Sequence, residues 1–94
     1  MRYYVWYHRL SQIEKLLDAV LNNPRDVRVE DACKIAKRLG FTGESGSGSH
    51  HAFARPGEPT LLNFQSNRNG KIPNYQGKQL AAMIEKYRGD DGEN

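Results

Sequence analysis

The sequence predicts an α+β protein, a two-layer sandwich in which helices cover one face of a three-stranded antiparallel sheet. Three stretches, two near the start and one near the end, repeat apolar residues with the period of a helix. Between them lie short apolar runs separated by glycine, proline and asparagine, a pattern typical of antiparallel strands joined by turns. The predicted order is helix, helix, three strands, helix, with the first helix as an extra N-terminal element.

The first predicted helix begins after Ser11. Ser11 and Glu14 have the spacing of a capping box, in which each side chain accepts a hydrogen bond from a backbone amide at the helix start. Asn22, Asn23 and Pro24 end this helix. Its apolar positions form one stripe: Ile13, Leu16, Leu17 and Val20.

The second and third predicted helices also carry one apolar stripe each. The second ends at Gly40, because glycine adopts the left-handed conformation that terminates a helix. The third runs from about residue 75 to residue 88. The stripe of the second helix is Ala32, Ile35, Ala36 and Leu39, and that of the third is Gly77, Leu80, Ala81, Ile84 and Tyr87.

Three short strands are predicted between these helices. The first comprises residues 41 and 42 and is followed by a glycine- and serine-rich turn over 43–49. The second spans 51–55, and the third spans 60–64 after a turn at 56–59. Because only the helices on one side cover this sheet, we expect its other face to remain open for a ligand or a partner.

The two ends differ in composition from the predicted domain at 11–88. Residues 1–10 hold four aromatic side chains and predict either a short strand or a lead-in that packs over the core. Residues 89–94 are rich in acidic residues and glycine, which favours a disordered tail.

The charge balance favours a polyanionic partner. The 94-residue chain has a formal charge of +3, and residues 1–89 alone carry 14 basic and 8 acidic side chains, a net +6. A single cysteine excludes an internal disulfide. The chain has neither an apolar run of about 18 residues nor a signal-peptide pattern, so we expect a cytoplasmic protein that does not enter the membrane.

Two adjacent histidines at the start of the second strand are the candidate chemical groups. Histidine is the side chain whose ordinary pKa, near ~6.5, allows proton transfer at neutral pH. Neighbouring residues of a strand point to opposite faces, so His51 shares a side with the core residue Phe53. His50 then shares the open face with Ala52 and Ala54, and this geometry favours His50 as the functional histidine. His51 remains the alternative, since a glycine-rich turn specifies strand register weakly.

Other classes of site lack a matching pattern. The third histidine, His8, is distant in sequence and no Cys or Glu stands at a familiar ligand spacing, so no metal site or cofactor is expected. A lone imidazole is sufficient to assist RNA cleavage, because the RNA supplies its own 2′-hydroxyl as nucleophile. Candidate phosphate-binding cations surround the predicted strands: Arg55, Arg68, Lys71 and Lys78.

The segment Gly48-Ser49-His50-His51-Ala52-Phe53, following Leu39-Gly40-Phe41, resembles the core motif of HicA-type toxins. The resemblance continues through residues 55–65, 72–80 and 84–87, and these last segments are similar to a longer branch of that family. In all, the resemblance covers about residues 11–88. Residues 1–10 are not part of the pattern, and the neutral segment 60–65 replaces the basic last strand of compact members.

This resemblance implies a double-stranded-RNA-binding-like fold and a metal-independent endoribonuclease that cleaves mRNA and inhibits translation. It also implies a HicB-type antitoxin that covers the active histidine in a toxin–antitoxin hetero-oligomer. The motif histidine corresponds to His50. The expected RNA contacts are Gly48, Ser49, His51, Arg55, Lys71 and Lys78.

Two other functions remain open from the residues. One is a non-catalytic RNA-binding module with the same fold, which binds RNA with steep salt dependence and leaves it uncut. The other is a protein-interaction domain, which has no RNA affinity at low salt.

Overall fold

The secondary-structure elements follow the predicted order in the computed structural model, which describes residues 11–45 and 50–93. The three helices are α1 (Gln12–Asn22), α2 (Val29–Arg38) and α3 (Asn74–Glu93), and the three strands are β1 (Thr42–Ser45), β2 (His50–Ala54) and β3 (Leu62–Gln65). The predicted α+β class with a three-stranded antiparallel sheet is confirmed.

The sheet has the order β1-β2-β3, with β2 in the centre and both pairings antiparallel. In the β2–β3 pair, His50 lies opposite Gln65 and Phe53 lies opposite Leu62. The β1–β2 pair contains an irregularity, since Thr42 lies opposite Ala54 whereas Ser45 lies opposite Ala52. One extra residue on β1 is therefore accommodated as a bulge.

Helices α2 and α3 pack against β3 and against each other, and α1 packs on α2 and α3. The apolar stripes predicted for α2 and α3 meet the inward side chains of the strands, and burial of this apolar surface is the main force that holds the layers together. The largest fully buried side chains are Phe41, Phe53, Phe64, Leu17, Ile35, Leu39, Leu62, Leu80 and Ile84.

The start of α1 is capped as predicted by its serine but not by its glutamate. The Ser11 hydroxyl accepts a hydrogen bond from the Glu14 backbone N–H at 3.2 Å. The Glu14 carboxylate does not complete a capping box; it accepts hydrogen bonds from Arg38 at 2.7 Å and Arg88 at 3.1 Å. These two ion pairs draw the Glu14 side chain towards α2 and α3 instead.

Helix α2 ends at a glycine, as predicted. Gly40 has a φ of +91°, the left-handed conformation that glycine adopts without strain. The backbone N–H of Phe41 donates to the carbonyl of Ala36 at 2.9 Å, which closes the last turn and directs Phe41 into the core.

All three strands begin and end differently from the sequence prediction. Strand β2, predicted over 51–55, comprises His50–Ala54. The predicted turn at 43–49 is strand as far as Ser45, because the positive φ of Gly43 (+81°) fits a bulge in β1. Strand β3 begins at Leu62 and not at Thr60, because the Thr60 backbone N–H donates to the Glu58 carboxylate at 2.9 Å.

Helix α3 continues to Glu93, beyond the predicted end at Arg88 and into the segment expected to be disordered. Gly89 does not have the positive φ of a helix-terminating glycine, so it continues the helix. Near the other end of α3, Gly77 lies against the backbone of Pro24, which follows α1.

The aromatic lead-in at 1–10 lies outside the described residues. No helix in the described parts of the chain has the length and apolar character needed to cross a membrane.

Candidate functional site

The face of the sheet opposite the helices, called the open face below, carries small and polar side chains. On β2 this face has His50 and Ala54, both exposed, with Ala52 between them. On β3 it has Asn63 and Gln65, which are also exposed. The small alanine side chains leave the imidazole of His50 accessible on a shallow surface.

His51 lies on the other side of β2. It is half-buried, shares the side of the buried Phe53, and lies opposite the buried Phe64 of β3. The faces predicted for His50 and His51 are therefore the observed faces, because the β2–β3 register places both phenylalanines in the core. The predicted partners Gly48 and Ser49 lie outside the described residues.

A hydrogen-bonded chain connects the strand end at His50 to the start of α3. Gln65, the cross-strand neighbour of His50, donates its backbone N–H to Oε1 of Gln76 at 3.0 Å. The other end of the Gln76 amide, Nε2, donates to the hydroxyl oxygen of Tyr75 at 3.3 Å. Because Gln65 N–H must donate, it fixes the orientation of the Gln76 amide. The chain therefore holds the Tyr75 hydroxyl next to the edge of β3.

Tyr75 itself is 65% exposed. It lies in the first turn of α3 but off the apolar stripe, so its ring does not pack in the core. Among the described residues, neither of the aromatic ring pairs includes it. Lys78, three residues further on the same helix, is also exposed. An aromatic ring and a cation therefore lie on neighbouring positions of α3 near the β3 edge.

Arg55 is held by intramolecular contacts on the helix side of the sheet. Its Nε donates to the carbonyl oxygen of Leu39 at 2.9 Å, and its guanidinium lies 3.8 Å from the centre of the Tyr87 ring. The first contact satisfies a carbonyl at the end of α2, and the second is a cation–π interaction. Arg55 thus lies away from His50 and fastens α2 and α3 to the end of β2.

Lys71 and Arg68 belong to the loop between β3 and α3. Lys71 forms an ion pair with Asp26 at 2.5 Å, and its backbone bridges to Arg28. The Asn67 side chain accepts from the backbone N–H groups of Asn69 and Lys71 and so organises the loop. Lys71 therefore ties this loop to the linker that precedes α2, whereas Arg68 is exposed at its tip.

The most perturbed titratable group in the described residues is a carboxylate that no sequence pattern had singled out. Glu58 is buried, accepts from Lys86 at 2.7 Å and from the backbone of Thr60 at 2.9 Å, and also accepts from the Tyr87 hydroxyl. The hydrogen bond from Lys86, followed by that from Tyr87, lowers the pKa of Glu58 from 4.5 to about 2. Glu58 is therefore a fixed anion that anchors the β2–β3 loop to α3.

The described residues contain no group of three or more His, Cys, Asp or Glu side chains that could hold a metal ion. Comparisons with models of known protein families, with curated proteins and with solved structures find no match.

The structure separates most of the predicted site residues. His50 lies on the open face, and its strand partner Gln65 is hydrogen-bonded to Gln76 at the start of α3, while Arg55 and Lys71 are engaged in contacts elsewhere. The connection through Gln76 to Tyr75 was not predicted from the sequence. One signal was present: an aromatic residue at a helix start, off the apolar stripe, is exposed in the folded chain.

Chemically, this arrangement offers one accessible imidazole, amide side chains that hydrogen-bond to polar ligands, and an exposed aromatic ring. An imidazole can act as a general acid or base, and the described residues of the open face do not form walls that would enclose a small substrate. A large, extended substrate suits this surface better than a small metabolite.

Proposed function

We propose that this chain is a HicA-type toxin, a cytoplasmic endoribonuclease that cleaves mRNA and thereby inhibits translation. The observation that carries the proposal is the exposed position of His50 on the open face, beside two alanines. The motif resemblance around His50 and the basic balance of residues 1–89 support the same function.

In this proposal His50 acts as the general acid or base. The imidazole takes the proton of a ribose 2′-hydroxyl, whose oxygen then attacks the adjacent phosphorus. The bond to the 5′-oxygen of the next nucleotide breaks, and that oxygen receives a proton from the imidazolium or from water. The RNA supplies both nucleophile and leaving group, so the reaction proceeds without a metal.

The proposed protein partner is a HicB-type antitoxin that covers His50 in a hetero-oligomer. An exposed histidine with small neighbours allows another chain to approach the open face closely. The same exposure that gives RNA access to the imidazole thus permits its occlusion.

The test replaces each histidine separately. We expect His50→Ala to lower the rate of RNA cleavage by at least about 100-fold and to abolish growth arrest, while the unfolding midpoint stays close to that of the parent. His51→Ala is the matched control, one position away on the opposite face. Cleavage is measured with purified protein and single-stranded RNA in the presence of a chelator.

Loss of cleavage in His51→Ala but not in His50→Ala would overturn the assignment of the functional face. RNA that is bound with steep salt dependence but never cut by the parent protein would identify the non-catalytic RNA-binding module instead.

A further inference from the structure

We propose that Tyr75 forms a stacking platform for an unpaired base of the RNA, next to the nucleotide held at His50. The inference rests on the proposed function and names a second point of substrate contact. It implies that the substrate is single-stranded at this position, since a base within a duplex is stacked on its neighbours and has no free face.

The Tyr75 ring is exposed to solvent. Tyr75 and Leu61, at 65% and 58% exposed, are the two exposed large apolar side chains in the described part of the chain. The cost of exposing an aromatic ring to water falls when a base covers it. Tyr75 is the one of these two side chains with a π-face, and every base has a π-face to match it.

A hydrogen bond holds the Tyr75 ring in place before any ligand arrives. The Gln65 backbone N–H orients the buried amide of Gln76, and that amide donates to the Tyr75 hydroxyl. A tyrosine fixed at its hydroxyl end has less rotational freedom to lose when a base stacks on it. Gln76 is thus a positioning residue for Tyr75.

The Tyr75 ring is connected to His50 around the edge of β3. Gln65 is the direct cross-strand neighbour of His50, and a pair of this kind has Cβ atoms only about 5 Å apart. Two hydrogen bonds, through the Gln76 amide, link the Gln65 backbone to the Tyr75 hydroxyl. An extended RNA strand that lies over His50 and crosses the β3 edge would therefore meet the ring with a neighbouring base. The exposed Lys78 lies three residues further along α3, where a phosphate of the same strand would pass.

The experiment measures binding without cleavage. The parent is the His50→Ala variant, and the probe is a short, fluorescein-labelled single-stranded RNA of random sequence whose affinity is read by fluorescence anisotropy. In this background we expect Tyr75→Ala to weaken binding about 5- to 100-fold, the loss of one base stack. Tyr75→Phe keeps the ring but loses the hydrogen bond from Gln76, so we expect it to weaken binding less than Tyr75→Ala does. Leu61→Ala, the matched exposed apolar control, retains the parent affinity.

A second probe separates stacking from contact with the RNA backbone. On an abasic ribose-phosphate oligomer of equal length, we expect the parent and Tyr75→Ala to bind equally. A Tyr75→Ala effect of the same size on both probes would overturn the proposal, as would parent-like affinity on the base-containing RNA. Unfolding midpoints are measured for every variant, and the exposed Tyr75 is expected to leave them unchanged.

Failure of the stacking proposal and failure of the proposed function give different results. If the wild-type chain cleaves RNA and Tyr75→Ala changes neither affinity nor cleavage rate, stacking is wrong and the ribonuclease assignment stands. If the wild-type chain neither binds nor cleaves RNA at low salt, both are wrong.

Discussion

At the scale of single residues, the buried carboxylate of Glu58 joins the β2–β3 loop to helix α3 through several hydrogen bonds. Its two oxygens accept from Lys86, from Tyr87 and from the backbone of Thr60, so three protein donors stabilise the charge. The Tyr87 ring in turn lies beneath the guanidinium of Arg55. A buried charge is tolerated when it is paired and hydrogen-bonded in this way.

This arrangement predicts an acid-sensitive contribution to stability. The folded pKa of Glu58, about 2, lies below its ordinary value of 4.5, so the unfolded chain binds the proton more tightly. The contribution is complete above pH 4.5 and is lost as the pH falls through about 2. We expect Glu58→Gln to lower the free energy of unfolding at neutral pH and to weaken its decline in acid.

Urea unfolding at several pH values measures both effects. Glu85→Gln is the matched control, because Glu85 is an exposed glutamate next to Lys86 on the same helix. An equal acid-induced decline in the parent and in Glu58→Gln would contradict the role assigned to the Glu58 carboxylate.

At the scale of elements, the position of α3 depends on a glycine inside the helix. A Cβ atom built on Gly77 would overlap the carbonyl oxygen of Pro24, which is backbone and has little room to move. Glycine lowers helix propensity by about 1 kcal/mol relative to alanine. The close packing of α3 against the end of α1 therefore outweighs a local preference for a larger residue.

Two alanine substitutions in α3 separate the effect of helix propensity from that of close packing against Pro24. Gly77→Ala gains helix propensity but forces α3 away from Pro24, and we expect a net loss of about 1–3 kcal/mol in the free energy of unfolding. Gly89→Ala meets no atom within 4 Å, so it should stabilise the protein by up to about 1 kcal/mol. Both are measured by denaturant unfolding, and a stabilising Gly77→Ala would show that the two segments are not in close contact.

The elements that the sequence predicted well are those specified by local patterns. The stripe Ala32, Ile35, Ala36 and Leu39 and the glycine after it define α2 without reference to any other part of the chain. Alternation along β2 likewise gave the correct faces for His50 and His51.

The features that were missed depend on contacts between distant residues. The burial of Glu58 requires Lys86 and Tyr87, and the start of β3 at Leu62 depends on Glu58 in turn. The position of the Tyr75 hydroxyl depends on the hydrogen bond between Gln65 and Gln76, which lie on opposite sides of a loop. Periodicity contains no information about such pairings, because each side chain alone fits an ordinary surface or turn position.

At the scale of the whole molecule, charged side chains join all three helices. The Glu14 carboxylate of α1 pairs with Arg38 at the end of α2 and with Arg88 of α3, and Arg88 also pairs with Asp18 at 2.8 Å. Single exposed ion pairs contribute little, but here one partly buried carboxylate serves two arginines. The network supplements the apolar contacts of Leu17 and Val20.

We expect Glu14→Gln to lower the free energy of unfolding by about 1 kcal/mol at low salt and by less at high salt, because added ions screen exposed charges. Glu30→Gln is the control, since Glu30 lies in the first turn of α2 and its one ion pair with a described residue is with Arg28 at 3.7 Å. Denaturant unfolding at two salt concentrations gives both values. Equal losses in the free energy of unfolding of the two variants would show that the network contributes no more than a single exposed ion pair.

Helix α1 is attached to the molecule through α2 and α3, which also contact the sheet. Separation of α2 from α3 removes the surface on which α1 lies, whereas release of α1 leaves the sheet contacts of α2 and α3 in place. We therefore expect α1 to detach in native-state fluctuations at a lower free energy than α2, α3 and the sheet. Because His50 lies on the sheet, we expect its imidazole to keep its position on the open face when α1 detaches.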